Sequence, residues 1–162
     1  RAPVTGADAM SSDYCEAMTE QTSTGPTVDN KALVERFLFA VQNEDFDTAD
    51  TLLADDVKWQ NVGLPTITGR QRIVKLLRSG QGRMGFEVKF HRIAAEGSSV
   101  LTERTDVLVF GPVRLQFWVC GAFEVRDGRI TLWRDYFDFF DMFKATVRGV
   151  AGAAVPSLRP TL

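Results

Sequence analysis

The chain has 162 residues, of which 44% are hydrophobic and 25% are charged, a balance typical of one globular domain. Its net charge of −2 shows no basic excess, which argues against binding to nucleic acid or to an anionic membrane surface. No apolar run is long enough to cross a bilayer, so we expect no membrane span.

The cysteine and histidine content restricts the chemistry further. The two cysteines, Cys15 and Cys120, have neither CxxC spacing nor the density of a secreted disulfide scaffold. We therefore expect free thiols and a reducing, cytoplasmic compartment. The single histidine, His91, leaves no histidine cluster for zinc and only a carboxylate site for any other metal. On this basis we expect no metal site.

Three segments of the chain differ in composition. Residues 1–27 are rich in Ser, Thr, Ala and Gly, and this composition predicts a flexible N-terminal extension. Residues 28–150 carry the apolar patterning of one α+β domain. Residues 151–162 form a C-terminal tail, in which Pro156 and Pro160 oppose a regular continuation.

Helices come first in the domain. Apolar residues recur at helical spacing from Leu33 onward, with Asp29 or Asn30 as the capping residue, and shorter stretches with the same spacing follow. The predicted helices cover residues 31–42, 46–54, 70–78 and, near the end, 141–150.

The second half of the domain is almost entirely strand. Its β-branched and aromatic runs are separated by short turns such as Gly111-Pro112 and Asp127-Gly128, which predicts an antiparallel meander. Together with the helices, this order predicts an α+β fold in which a curved, mixed or antiparallel sheet wraps around helices and forms one pocket. The predicted strands cover residues 57–62, 86–95, 99–110, 113–126 and 129–138.

Charged residues occupy otherwise apolar faces of two of these strands. Because side chains alternate between the faces of a strand, Arg104 and Asp106 lie side by side among apolar neighbours. By the same alternation, Asp135 lies between Trp133 and Phe137. An isolated carboxylate is costly to bury there, so Asp135 requires either water or a partner.

We predict that Arg104 is this partner and bridges Asp106 and Asp135, because its planar guanidinium offers five donors. Asn61 shares a face of the first strand with Trp59, and four polar groups on apolar faces of three strands indicate one lined cavity. The alternative is that Arg104 and Asp106 form an ordinary ion pair within one exposed strand face, and this alternative stays open.

Three motifs carry a resemblance to a known family: Trp59-Gln60-Asn61 followed by Leu64-Pro65, Glu103-Arg104-Thr105-Asp106-Val107-Leu108, and Trp133-Arg134-Asp135-Tyr136-Phe137-Asp138. With these motifs, residues 32–143 resemble the limonene-1,2-epoxide hydrolase family, which is related to nuclear transport factor 2 and ketosteroid isomerase. The resemblance implies a curved sheet with helices enclosing a deep pocket, a homodimer, and no cofactor.

The resemblance also implies a role for each site residue. Asp135 falls where the family has the carboxylate that takes a proton from the attacking water, and Asn61 where it has the amide that holds this water. Asp106 stands at the position of the acid that protonates the epoxide oxygen, and Arg104 at that of the bridging arginine. Trp59 replaces the tyrosine that the family usually has there, and an indole N–H cannot accept a hydrogen bond from the water.

The expected activity is therefore hydrolysis of a small lipophilic epoxide to a vicinal diol. The reaction has one step and no covalent intermediate, with Asp135 ionised and Asp106 protonated. Two other functions stay open for this type of pocket. One is an isomerase or polyketide cyclase with an aspartate base, whose product gains no water. The other is a non-catalytic, dimeric carrier of a lipophilic ligand.

Overall fold

The structure is a computed structural model that describes residues 29–162. The extension predicted over residues 1–27, like Cys15, lies outside the described residues. The elements follow in the order α1 (Asn30–Gln42), α2 (Phe46–Leu52), β1 (Leu53–Asn61), β2 (Ile67–Thr68), α3 (Arg70–Ser79), β3 (Gly85–Glu96), β4 (Ser99–Phe110), β5 (Val113–Arg126), β6 (Arg129–Tyr136), α4 (Phe139–Ala154) and a 3-10 turn (Pro156–Leu158).

One curled, six-stranded sheet runs through the α+β fold in the order β2-β1-β6-β5-β4-β3. Strands β3 to β6 pair antiparallel with their sequence neighbours, so the predicted meander is confirmed. Strand β1 pairs in parallel with β6, which makes the sheet mixed. In this strand order, β5 lies between β4, which carries Asp106, and β6, which carries Asp135.

The start of the sheet differs from the prediction. The second helix ends at Leu52 rather than at residue 54, and β1 begins at Leu53 rather than at residue 57. Leu53 has extended backbone angles and pairs with Ile130 of β6, and both side chains are completely buried. Burial against a distant strand therefore overrides the local helical spacing in this segment.

The hydrophobic core lies between one face of the sheet and helices α1, α2 and α3. Helix α1 starts at the predicted cap, since the Asp29 carboxylate accepts hydrogen bonds from the backbone N–H groups of Lys31 and Ala32. A second, smaller cluster joins β5 to α4 through Phe117, Val119 and Ala145.

Helix α4 is longer than the predicted helix over residues 141–150. The last strand ends at Tyr136, and the Asp138 carboxylate accepts a hydrogen bond from the Asp141 backbone N–H, which starts the helix at Phe139. The helix ends at Ala154, two residues before Pro156. Within residues 29–162, no helix combines the length and the apolar character that crossing a membrane requires.

Candidate active site

Arg104 is the centre of the site. Its side chain is completely buried, at 0% exposure, and its Nε atom lies 2.9 and 3.1 Å from the two carboxylate oxygens of Asp106. Its Nη2 atom lies 2.6 Å from Oδ1 of Asp135. Both carboxylates are also buried. The predicted bridge is therefore present, and the alternative of an exposed ion pair within one strand is wrong.

The sheet brings the three side chains together across three strands. Arg104 and Asp106 are two residues apart on β4 and so share a face, while Asp135 lies on β6 beyond the intervening β5. On β5, Gly121 pairs with Asp135 and also with Thr102 of β4. The guanidinium crosses β5 at this glycine, where no side chain occupies the face.

Burial dominates the titration of the carboxylates. Desolvation raises the pKa of Asp106 to about 6, although the neighbouring Arg104 charge acts to lower it. Desolvation also raises the pKa of Asp135, again against the charge of Arg104. Burial acts to lower the pKa of Arg104, but its two carboxylate partners outweigh this effect and raise it. Arg104 therefore stays a cation between two acids that hold protons more tightly than usual.

A cavity of about 300 Å³ opens beside this group. Asp106 and Asp135 line it together with Asn61 and Glu44, and the remaining lining residues are apolar or aromatic. Asn61 ends β1 in register with Asp135 of the parallel strand β6, which places the two residues side by side. The structure thus brings Asn61, Asp106 and Asp135 to one apolar cavity.

Trp59 also lines the cavity, two residues before Asn61 on β1. Its indole ring stacks on that of Trp133, with which it pairs in register. The Trp59 Nε1 atom is buried and has no hydrogen-bond partner within the part of the chain that the structure describes. The indole therefore contributes an apolar surface, and its N–H takes part in none of the polar contacts of the site.

His91 lies apart from the cavity. It is exposed on β3, and its Nε2 atom lies 2.8 Å from the Thr105 hydroxyl. Across residues 29–162, no three His, Cys, Asp or Glu side chains form a group with metal-binding geometry.

Two residues that the sequence did not mark as part of the site contact Arg104. The Thr102 hydroxyl accepts a hydrogen bond from Arg104 Nη1 at 2.9 Å, and Gly121 lies beneath the guanidinium. Thr102 lies two residues before Arg104 on β4, so the alternation of side chains along the strand already indicates that both share a face. Gly121 stands inside a long apolar strand, and such a glycine often marks the close approach of another group.

A family model described as the limonene-1,2-epoxide hydrolase catalytic domain matches residues 28–148. Epoxide hydrolase EphG of Mycobacterium tuberculosis is 59% identical over 149 residues, which cover 90% of this chain and all of that protein. A solved structure described as an M. tuberculosis LEH-like epoxide hydrolase has 62% sequence identity and a TM-score of 0.81, covering 82% of this chain and 95% of that chain.

More distant solved structures share the fold. An NTF2-like protein of unknown function from Burkholderia pseudomallei has a TM-score of 0.63 at 16% identity, covering 72% of this chain and 96% of that chain. At this identity the similarity concerns the fold alone, and it agrees with the NTF2-like architecture that the motifs implied. The family model and the similar mycobacterial proteins cover nearly all of the described residues. The chain therefore belongs to the limonene-1,2-epoxide hydrolase family.

Proposed function

We propose that the protein, an epoxide hydrolase by family, adds water to a lipophilic epoxide in one step and releases a vicinal diol. General acid and general base catalysis act together, and no covalent intermediate forms. The observation that carries this proposal is the position of Arg104, completely buried between Asp106 and Asp135 at the wall of an apolar cavity.

The number of protons on the two acids supports acid and base chemistry in one site. If both carboxylates were ionised, Arg104 would balance only one of them and a buried negative charge would remain. One proton shared by Asp106 and Asp135 makes the group neutral. Both pKa values are raised by desolvation, that of Asp106 to about 6, which favours keeping this proton up to about that pH. The two acids then titrate as a coupled pair.

The contacts of Arg104 favour placing the proton on Asp106. Asp135 receives its own N–H bond from Nη2 at 2.6 Å, a short, charge-assisted contact typical of an ionised acceptor. The two oxygens of Asp106 share the single N–H of Nε at 2.9 and 3.1 Å. The shorter, unshared bond stabilises the ionised form of Asp135 more strongly, so we assign Asp135 as the base and Asp106 as the acid.

In the proposed reaction, Asp135 takes a proton from a water molecule held by the Asn61 amide. The water oxygen bonds to an epoxide carbon while the ring C–O bond breaks, and Asp106 gives its proton to the departing oxygen. Each proton transfer can contribute on the order of 10²–10⁴-fold to the rate. The proton gained by Asp135 replaces the one lost by Asp106, so the group returns to its starting charge.

The cavity supports a lipophilic substrate. Apart from Asn61, Glu44 and the two acids, its walls are aliphatic and aromatic, with Phe117, Phe137 and others on several elements. Its volume of about 300 Å³ lies at the small end of ligand cavities. We therefore expect the substrate to be a small apolar epoxide that carries no charged group.

The test is a panel of apolar epoxides, from terpene oxides to fatty and steroid epoxides, with mass spectrometry of the product. Wild type should give a product one water heavier than the substrate. Asp106→Asn and Asp135→Asn, which keep the side-chain size, should give none above background. Asp127→Asn is the matched control, because Asp127 lies exposed in a turn, and it should match wild type.

Other outcomes of the panel would contradict the proposal. Turnover retained by either of the first two Asn variants would remove that carboxylate from the mechanism. A product of unchanged mass would indicate an isomerase or cyclase instead. Binding of the panel without any product would indicate a carrier of lipophilic ligands.

We also propose that the protein forms a homodimer, as the family resemblance implies, through the outer face of β5. Trp118 is 54% exposed there, and the exposed Cys120 and Leu101 lie further along the same face. A large exposed aromatic side chain is typical of a protein interface. Trp118→Glu should convert the dimer to monomer in size-exclusion chromatography with light scattering.

The matched control for this interface is Phe143→Glu, which puts the same charge on the exposed face of α4. This variant should remain a dimer. A monomeric wild type, or dissociation of Phe143→Glu in place of Trp118→Glu, would contradict the proposed interface.

We propose a cytoplasmic location as well. Cys120 forms no disulfide among the described residues, and a free thiol is most stable in a reducing compartment. Fractionation of cells that express the tagged protein should recover it with cytoplasmic markers, and recovery with secreted proteins would contradict the proposal.

A further inference from the structure

A glycine and a threonine outside the proposed acid–base group surround the guanidinium of Arg104. Gly121 is buried on β5, and a Cβ atom built on it would overlap Nη1 of Arg104 and lie 2.6 Å from the Thr102 hydroxyl oxygen. The nearest ring carbon of Phe123 would be 3.0 Å away. The absence of a side chain at Gly121 is therefore what leaves room for the guanidinium to cross β5.

The Thr102 hydroxyl completes the contacts of the guanidinium. Its Oγ1 atom accepts a hydrogen bond from Arg104 Nη1 at 2.9 Å and donates to the Gly121 backbone oxygen at 3.4 Å. Thr102 is itself buried, at 4% exposure. With Nε on Asp106 and Nη2 on Asp135, each of the three guanidinium nitrogens has its own partner. A planar group held at three corners cannot rotate without losing a buried hydrogen bond.

We propose that Thr102 and Gly121 are positioning residues for catalysis: they form a seat that fixes Arg104 with one nitrogen facing each acid. This catalytic role of the seat depends on the proposed hydrolysis, in which the position of Arg104 determines which carboxyl keeps the proton. Neither residue contacts the reacting atoms, so both act only through Arg104. If Thr102 and Gly121 did not hold it, the guanidinium could adopt other orientations. Asp106 and Asp135 would then no longer differ in their protonation.

The seat also affects the titration of the acids. Arg104 is the group that opposes the rise in the pKa of Asp106 and of Asp135 caused by burial. A loosened guanidinium opposes that rise less effectively. Loss of the Thr102 hydroxyl should therefore move the titration of the coupled pair to higher pH.

The experiment compares Thr102→Val, which keeps the shape of the side chain and removes the hydroxyl, with Thr102→Ser, which keeps the hydroxyl. We expect Thr102→Val to lower kcat at least tenfold with KM changed less than twofold, and to move the alkaline limb of kcat/KM up by half a pH unit or more. Thr102→Ser should stay within threefold of wild type with an unmoved profile. Equal losses in both variants, or wild-type values in Thr102→Val, would overturn the seat.

Gly121→Ala tests the seat independently, because the added methyl group would displace Arg104. Its control is Ala122→Ser, one residue along the same strand and on the opposite face. Gly121→Ala should lower kcat by 100-fold or more, and the control should stay near wild type. A folded Gly121→Ala protein with wild-type kcat would contradict the proposal. If Gly121→Ala does not fold, the two Thr102 variants still decide.

A measurement without substrate separates the seat from the hydrolase proposal. Carbon-13 NMR titration of the aspartate carboxyls should show the pair titrating at higher pH in Thr102→Val than in wild type and Thr102→Ser. This shift is expected even if no epoxide is hydrolysed, in which case only the proposed function fails. Identical titrations in the three proteins would reject the seat whatever the activity.

Discussion

The Trp59 indole stacks on that of Trp133, with the ring centroids 4.5 Å apart and the planes 13° from parallel. The two residues pair in register on the parallel strands β1 and β6, so the backbone itself holds the rings together. The stack leaves the Trp59 Nε1 atom buried without a hydrogen-bond partner in the described part of the chain. At this position the protein has an apolar wall where the family resemblance implies a tyrosine hydroxyl.

The apolar wall at Trp59 leads to a prediction for a variant that places a hydroxyl there. Trp59→Tyr should preserve or raise kcat, because a phenol oxygen can accept a hydrogen bond from the attacking water and an indole cannot. Trp59→Phe is the control for ring size, and its kcat should lie below that of Trp59→Tyr. If both variants lose activity equally, the indole itself has a function in the reaction and our interpretation of the stack is wrong.

The pKa of Asp106 predicts how activity depends on pH. Burial raises this pKa to about 6 from an ordinary value of 3.8, so the acid holds its proton below about pH 6 and loses it above. Because the proposed reaction consumes that proton, kcat/KM should fall about tenfold per pH unit on the alkaline side. Toward low pH a second proton neutralises Asp135, which gives a bell-shaped profile. A rate that rises steadily from pH 6 to pH 9 would exclude Asp106 as the acid.

The bridge predicts that Arg104→Lys is not a conservative change. One ammonium cannot replace a fork that binds two carboxylates and a hydroxyl, so kcat should fall at least about 100-fold. Leaving buried carboxylates poorly paired should also lower the free energy of unfolding by on the order of 3–5 kcal/mol in urea denaturation.

Arg92→Lys is the matched control for this change. Arg92 pairs with Glu103 on the same sheet but is 82% exposed, and exposed ion pairs contribute only about 0–1 kcal/mol. Its replacement should leave both kcat and stability close to wild type. Equal effects of the two substitutions would mean that the burial of Arg104 does not determine its importance.

The packing of α4 against β5 predicts that a side chain at Gly149 destabilises the protein. A Cβ atom there would lie 2.5 Å from the backbone oxygen of Arg114 on β5, so the helix would have to move away from the sheet. Gly149→Ala should lower the free energy of unfolding by about 1–3 kcal/mol, despite the higher helix propensity of alanine. Val147→Ala, exposed on the same helix, should change it by less than about 1 kcal/mol. An unchanged or higher stability of Gly149→Ala would contradict the close packing.

The sequence located the acids because each lies on a strand with one buried face. The period of two placed Arg104 beside Asp106 and placed Asp135 among aromatic residues, and burial of those faces left the guanidinium as their partner. Helix α1 and the meander were predictable for the same reason, since their patterns are long and regular.

Features that depend on distant strands could not be found this way. Leu53 is extended because it pairs with Ile130, which lies 77 positions later in the chain. The two-residue strand β2 is too short to show a period. The seat beneath Arg104 exists only because the register of three strands brings Gly121 opposite both Thr102 and Asp135. A single strand carries no information about this register.

In the proposed mechanism, water itself attacks the epoxide while Asp135 acts as a base. The decisive experiment is a single-turnover reaction in water enriched in oxygen-18, with enzyme in excess over epoxide. Direct attack by water puts one oxygen-18 atom into the diol during the first turnover, and this is the result we predict. A first-turnover diol that contains only oxygen-16 would show that a carboxylate oxygen was transferred through a covalent ester, and it would contradict the mechanism.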